Sequence, residues 1–163
     1  MNKLIGLLPQ SLQAKAMFHL AVRRVPMMRY VQPRLEELSA QKVVVSVPLS
    51  RRTRNLHDSM FIGAFSIAAD LVAGVFPIRY MFATGHVVPP IVKTSSAQFY
   101  KRVGGRAHFT CIQGEELSRV CEEAARTRQR IETPIEVLVT APEEFGDQPV
   151  ARIEMLLSIK RLN

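Results

Sequence analysis

The chain reads as an α+β protein, an antiparallel sheet curled around one long central helix, with a further helix at the N-terminus. Three observations predict this. The stretch 59–78, SMFIGAFSIAADLVAGVFPI, is apolar or small almost throughout, and Asp70 is its only charge. A helix apolar on every side is a buried helix. The flanking segments alternate apolar and polar residues with the period of two that marks strands. Those strands come in groups rather than in strict alternation with helices, which is the α+β pattern.

At 163 residues the chain fits one domain with a substantial core. Residues 9–24 read as an amphipathic helix, with Leu12, Ala16, Phe18, Leu20 and Val22 apolar and Gln13, Lys15, Arg23 and Arg24 polar. Pro26 and Pro33 break the chain after it. This helix packs on the domain; a membrane-surface role is the weaker fit, because its polar face carries few cations. Residues 42–49, KVVVSVPL, form a strand with Val43, Val45, Val47 and Leu49 on one face. A polar loop, RRTRNLHD, follows. Asp58 or Ser59 is the expected cap of a helix over 60–76 that stops at Pro77.

A second strand region covers 86–100, with Pro89 and Pro90 near its start, and a third covers 106–113 after a turn at Gly104 and Gly105. Residues 115–130 form a helix with Leu117, Val120, Cys121 and Ala124 on its apolar face, acids leading and bases trailing as the helix dipole favours. Strands follow over 134–141 and 150–161. In the latter, Ile153, Met155, Leu157 and Ile159 oppose Arg152, Glu154, Ser158 and Lys160, so the pair reads as an antiparallel hairpin with one packed face and one partly wet face.

Hydrophobic residues make up 47% of the chain and charged residues 22%, an ordinary globular balance. The net charge of +8 suits nucleic acid, an anionic membrane or a phosphate-bearing ligand. Arg51, Arg52 and Arg54 are the one local basic cluster. No RNA-binding motif, zinc finger or strong helix-turn-helix pattern accompanies them, so nucleic acid is not the expected partner. Cys111 and Cys121 form no CxxC pair, and no Cys/His spacing reads as a zinc site. They fit a reducing cytoplasm as small buried hydrophobes, and no metal is expected. Residues 1–8 look faintly like the start of a signal peptide, but the apolar run is short and Pro9 and Gln10 end it without a small-residue cleavage site. The 59–78 stretch is long enough to span a membrane; Asp70, Gly63, Gly74, Pro77 and the strands on both sides favour a core helix instead.

A carboxylate in a buried helix is costly unless it is hydrogen-bonded, paired or neutral, which makes Asp70 a candidate for chemistry. The alternative is structural: an acid that bridges backbone groups or pairs with an arginine across a subunit boundary. Ser59 and Ser66 are candidates for lining a site. No GxSxG elbow is present, so a serine nucleophile is not expected.

The layout resembles the hotdog fold, and the resemblance sharpens between Asn55 and Asp70. Hotdog acyl-CoA thioesterases of the phenylacetyl-CoA type carry an Asn, then His-Gly-Gly six residues later, then an acid fifteen residues after the Asn. Asn55 and Asp70 have that spacing, and Gly63 falls on the second glycine, while Phe61 stands in place of the histidine and Ile62 in place of the first glycine. RNLHDSMFIGAFSIAADLVAGV is also similar to a less characterised hotdog branch, with an Asn, a small-aromatic-x-Gly-Ala turn and an Ala-Asp or Ala-Glu in the helix. The resemblance covers about 35–162. The chain then divides into a helical segment over 1–34 and a hotdog domain over 35–163, a single globular unit overall.

The resemblance further implies a cytoplasmic thioesterase acting on an acyl-CoA or acyl-carrier thioester, with coenzyme A as part of the substrate and no other cofactor. Asp70 would be general base or nucleophile, and the backbone N–H of Ile62 or Gly63 would receive the oxyanion. Asn55 would bond the thioester oxygen or the water, or else fold its own loop as an Asx turn. Phe61, Ser59, His57 and Phe65 are candidates to touch substrate, with His57 equally readable as a solvated loop histidine and Phe65 as core. Met60 could join them in an acyl tunnel. Arg51, Arg52 and Arg54 would meet the coenzyme phosphates, with Lys101, Arg102 and Arg106 as further candidates. Hotdog relatives pair as dimers or dimers of dimers, with two central helices at one interface. The alternative function is a noncatalytic hotdog module that binds an acyl thioester or lipid-like ligand.

Overall fold

The structure, a computed structural model, describes residues 10–162; the apolar start over 1–8 lies outside the described residues. Helices α1 (Gln10–Arg24) and α2 (Pro26–Tyr30) lead into strands β1 (Arg34–Leu38) and β2 (Val43–Val47). Helix α3 (Ile62–Thr84) follows, then β3 (Pro90–Phe99), β4 (Ala107–Cys111), α4 (Gly114–Thr127), β5 (Ile131–Thr140), the short α5 (Pro142–Phe145) and β6 (Pro149–Ile159). One antiparallel six-stranded sheet runs in the order β1-β2-β4-β5-β6-β3 and curves around α3. This is the hotdog fold.

The alternation read from the sequence sets the register. Val43, Val45 and Val47 stand opposite Cys111, Phe109 and Ala107. Ile135 and Val137 stand opposite Met155 and Ile153. These side chains are buried against Ala64, Ala68, Leu71, Val72 and Val75 of α3. Among the strands, the helix packs chiefly on β2 and β4.

Three expectations need correction, and one element was not read at all. Residues 34–38, to which the sequence reading assigned no element, form a strand. A bulge between Leu35 and Glu37 breaks the period of two that would have revealed it. The central helix passes through Pro77 rather than stopping there. Proline removes one backbone bond at a cost of about 3 kcal/mol, but Phe76 is buried, and Ile78, Met81 and Phe82 pack against the core, which offsets that loss. The helix ends at Gly85, which takes the left-handed conformation (φ 75°) that glycine adopts without strain. The cap at its start is Phe61, in extended conformation with no side-chain bond, rather than Asp58 or Ser59. Finally, α3 is not buried all round: Ile62, Ser66 and Asp70 form an exposed stripe at i, i+4 and i+8.

Helix α3 is long and apolar enough to cross a membrane. In this fold most of its apolar side chains are instead buried against the sheet and the neighbouring helices.

Candidate functional site

The loop between β2 and α3 is fixed by its own small polar side chains. The Thr53 hydroxyl donates to the Pro48 carbonyl (2.7 Å) and accepts from the Ser50 N–H (2.8 Å). Asn55 Oδ1 accepts from the backbone N–H groups of His57 (2.8 Å) and Ser59 (3.2 Å), and Asn55 Nδ2 donates to the Ser59 hydroxyl (3.0 Å). This is an Asx-type turn closed on itself. It delivers Phe61, whose N–H donates to the Thr53 carbonyl at 2.7 Å, to the first position before the helix.

The start of α3 is open. The N–H groups of Ile62 and Gly63 make no hydrogen bond to any described residue, as helix geometry leaves them free to do. Ile62 is 57% exposed and Phe61 52%. The Phe61 ring folds back over Gly63, where a Cβ would sit 2.6 Å from ring carbon Cε1, so glycine is required for the ring to lie there. Two free donors at the positive end of a helix dipole form an anion-accepting point.

Asp70 makes no hydrogen bond or ion pair with any described residue. It stands on the exposed stripe, yet the surrounding protein strips part of its hydration. That desolvation raises its carboxyl above the ordinary value of 3.8. Ser66, one turn earlier, turns its hydroxyl inward to the Ile62 carbonyl (3.3 Å). Burial pushes both thiols up, that of Cys121 to about 12, so neither cysteine supplies a thiolate at neutral pH.

The structure brings Arg51, Arg54, Asn55, His57 and Phe61 together along one groove, with Leu56 and Asp58. It leaves other expected site residues elsewhere. Phe65 is buried edge-on to Phe99 (5.1 Å) and Phe109 (5.7 Å), a core ring rather than a groove wall. Met60 is buried too, and Ser59 is buried as the partner of Asn55. Arg52 lies 5.5 Å over the Tyr30 ring. Arg54 is engaged with Asp58 at 2.9 Å, which leaves Arg51 as the groove-lining arginine with no paired acid among the described residues. Arg106 donates to the Ser46 hydroxyl (3.0 Å), and Lys101 bonds Gln148 and covers the Phe145 ring. Leu56, 99% exposed in the middle of the polar loop, was missed; its signal was one aliphatic residue inside RRTRNLHD. Among the described residues no group of three or more His, Cys, Asp or Glu could hold a metal ion.

A family model described as a domain of unknown function, DUF4442, matches residues 14–157. No curated protein matches. Several solved structures share the fold. One is a Pseudomonas aeruginosa protein of unknown function named a probable thioesterase, 23% identical with a TM-score of 0.74, the match covering 95% of this chain and 97% of that one. Another is a Chlorobaculum tepidum protein of unknown function, 15% identical with a TM-score of 0.76, covering 93% and 96%. A thioesterase family protein from Silicibacter pomeroyi is 16% identical with a TM-score of 0.66, covering 91% and 99%.

Proposed function

This chain belongs to the DUF4442 family, and on that premise we propose that it is a thioesterase, hydrolysing an acyl-CoA or acyl-carrier thioester by water attack assisted by Asp70. The observation that carries the reading is the pairing of two free helix-start amides, at Ile62 and Gly63, with an unpartnered acid on the same exposed stripe. The amides receive the thioester oxygen as it gains charge. The carboxylate takes a proton from water, the water oxygen bonds to the carbonyl carbon, and the tetrahedral intermediate expels the thiolate. That thiolate takes up a proton, so the products are a carboxylic acid and a free thiol.

One chain does not complete this arrangement. Eight residues separate Ile62 from Asp70, and at 1.5 Å per residue they span about 12 Å of helix. A general base works within about 3 Å of its proton. The acid must therefore come from a second copy whose helix runs alongside. The exposed stripe of α3 supports pairing. So does β3, whose residues from Lys93 to Phe99 are all exposed and whose outer edge has no strand beside it among the described residues. Arg51, beside the groove, meets phosphates of the coenzyme or carrier arm. Two free buried cysteines fit a cytoplasmic setting.

A specific observation favours a second reading, a noncatalytic module that binds the thioester. Phe61 has no hydrogen-bonding side chain where the resembling thioesterases have histidine. Release of free thiol from acyl-CoAs of varied chain length separates the two. Turnover that disappears in Asp70→Asn supports hydrolysis. Saturable binding without turnover supports the module.

A further inference from the structure

The hydrolysis scheme leaves one part of the β2–α3 loop unused. Leu56 stands almost wholly in water, where it contributes nothing to the core. The loop does not end there: the Arg52 guanidinium over the Tyr30 ring joins it to α2. On and before that helix, Val25 (41%), Met27 (59%) and Tyr30 (50%) are exposed, and Arg23, Arg24 and Arg29 are interleaved with them. In the loop Arg51, Arg52 and Arg54 flank Leu56. The one acid among these residues, Asp58, is already paired with Arg54.

The geometry points to a docking face for an anionic membrane surface, formed by the 50–58 loop and α2. Arginines at the phosphate level with aliphatic tips in the acyl boundary are the two contributions that hold a protein on such a surface. Tyr30 suits the same interface, with an apolar ring and a polar end. The net charge of +8 supplies the complementary long-range attraction. Nucleic acid fits less well, because the projecting tips of the face, Leu56, Met27 and Val25, are aliphatic, and its one ring, Tyr30, already has Arg52 over it. An acidic carrier protein would engage the arginines but has no need of an aliphatic tip projecting from a loop. The same loop positions the start of α3, so docking would turn the groove toward the bilayer. There an amphiphilic acyl thioester is concentrated; this last step rests on the thioesterase reading, whereas docking does not.

The test is co-sedimentation of the full chain with vesicles of phosphatidylcholine alone or mixed with phosphatidylglycerol, at low and high salt. The expected result is binding to the mixed vesicles only, weakening steeply with salt. Leu56→Ser and Met27→Ser should each lower it by roughly tenfold, as should the double change Arg23→Glu and Arg24→Glu. All are exposed positions, and circular dichroism checks that the fold is kept. Binding that ignores phosphatidylglycerol, or that survives Leu56→Ser and Met27→Ser, overturns the proposal. So does a protein that binds an acidic acyl-carrier protein and no vesicle. A chain that hydrolyses acyl-CoA yet ignores vesicles fails only as a membrane protein; one that binds vesicles without turnover fails only as a thioesterase.

Discussion

The two sides of α3 obey different rules. On the sheet side, Ala64 and Ala68 are small where the strands approach, and Leu71, Val72, Val75 and Phe76 fill the space between, all nearly inaccessible to solvent. On the other side, Ile62, Ser66 and Asp70 meet water. The first side specifies the fold without any chemistry. The second adds little to the fold of one chain, yet it holds the only acid of the helix and lies beside its free amides. Substitutions on the sheet side should therefore appear as lost stability, and substitutions on the open side as lost function.

The largest expected stability effect is on the sheet side. Phe76 is, with Phe109, the bulkiest fully buried side chain, and its ring lies against Gly114 at the start of α4. Phe76→Ala should cost about 3–5 kcal/mol, read as a lower denaturation midpoint with an unchanged slope. A loss below 1 kcal/mol, on the order of a surface change, would mean that this side is not the packed core described above.

On the open side, Asp70→Asn should leave the fold intact and lower thiol release by about 10²- to 10⁴-fold. The wild-type rate should also fall as pH drops through the Asp70 pKa, because only the ionised form accepts a proton. Desolvation places that limb above the ordinary carboxylate value of 3.8. A rate that is flat across the acid limb would assign the chemistry to another group.

Asn55 tests the boundary between the two behaviours. Its side chain holds the loop through three bonds to His57 and Ser59, so Asn55→Ala should cost about 1–3 kcal/mol. Asn55→Asp keeps the acceptor oxygen and should recover much of that stability. Turnover that recovers with it makes Asn55 a positioning residue for the start of α3. Turnover that stays lost in a stable Asn55→Asp protein places the amide in contact with substrate.

This division also explains what could be read in the sequence. The sheet-side positions and the strands they face carry strong periodicity, so β2, β4, β5, β6 and α4 lie close to where the alternation puts them. Strand β1 was invisible because its bulge spaces Leu35 and Leu38 three apart. Pro77 misled because a local breaker was outweighed by packing beyond it, which no local signal reports. The stripe of α3 was read as buried because apolar composition does not distinguish a core face from one that meets water. The spacing of Asn55 and Asp70 identified two residues of the candidate site. It left open whether Asn55 is spent on its own loop, the Asx turn that the structure shows, and did not reveal that Asp70 stands two helical turns from the amides it would serve.

The smallest expected effect is the most direct probe of the proposed pairing. Asp70 has a raised carboxyl and no compensating charge, so the fold prefers its neutral form. The stability it contributes is complete below the ordinary value of 3.8 and is lost as pH rises through the raised native value. At pH 7 Asp70→Asn should therefore melt slightly above wild type, by about 0.5 kcal/mol or less for a group this open to solvent. The gap should close as the pH is taken below the carboxylate range. A second copy over the stripe buries the acid more deeply, which widens the gap, and brings its helix-start amides near, which narrows it, so the gap should change with protein concentration. A gap that stays constant over a hundredfold range of about 1–100 µM, where specific protein pairs commonly assemble, would mean that the stripe remains open and the acid of one chain never meets the amides of another.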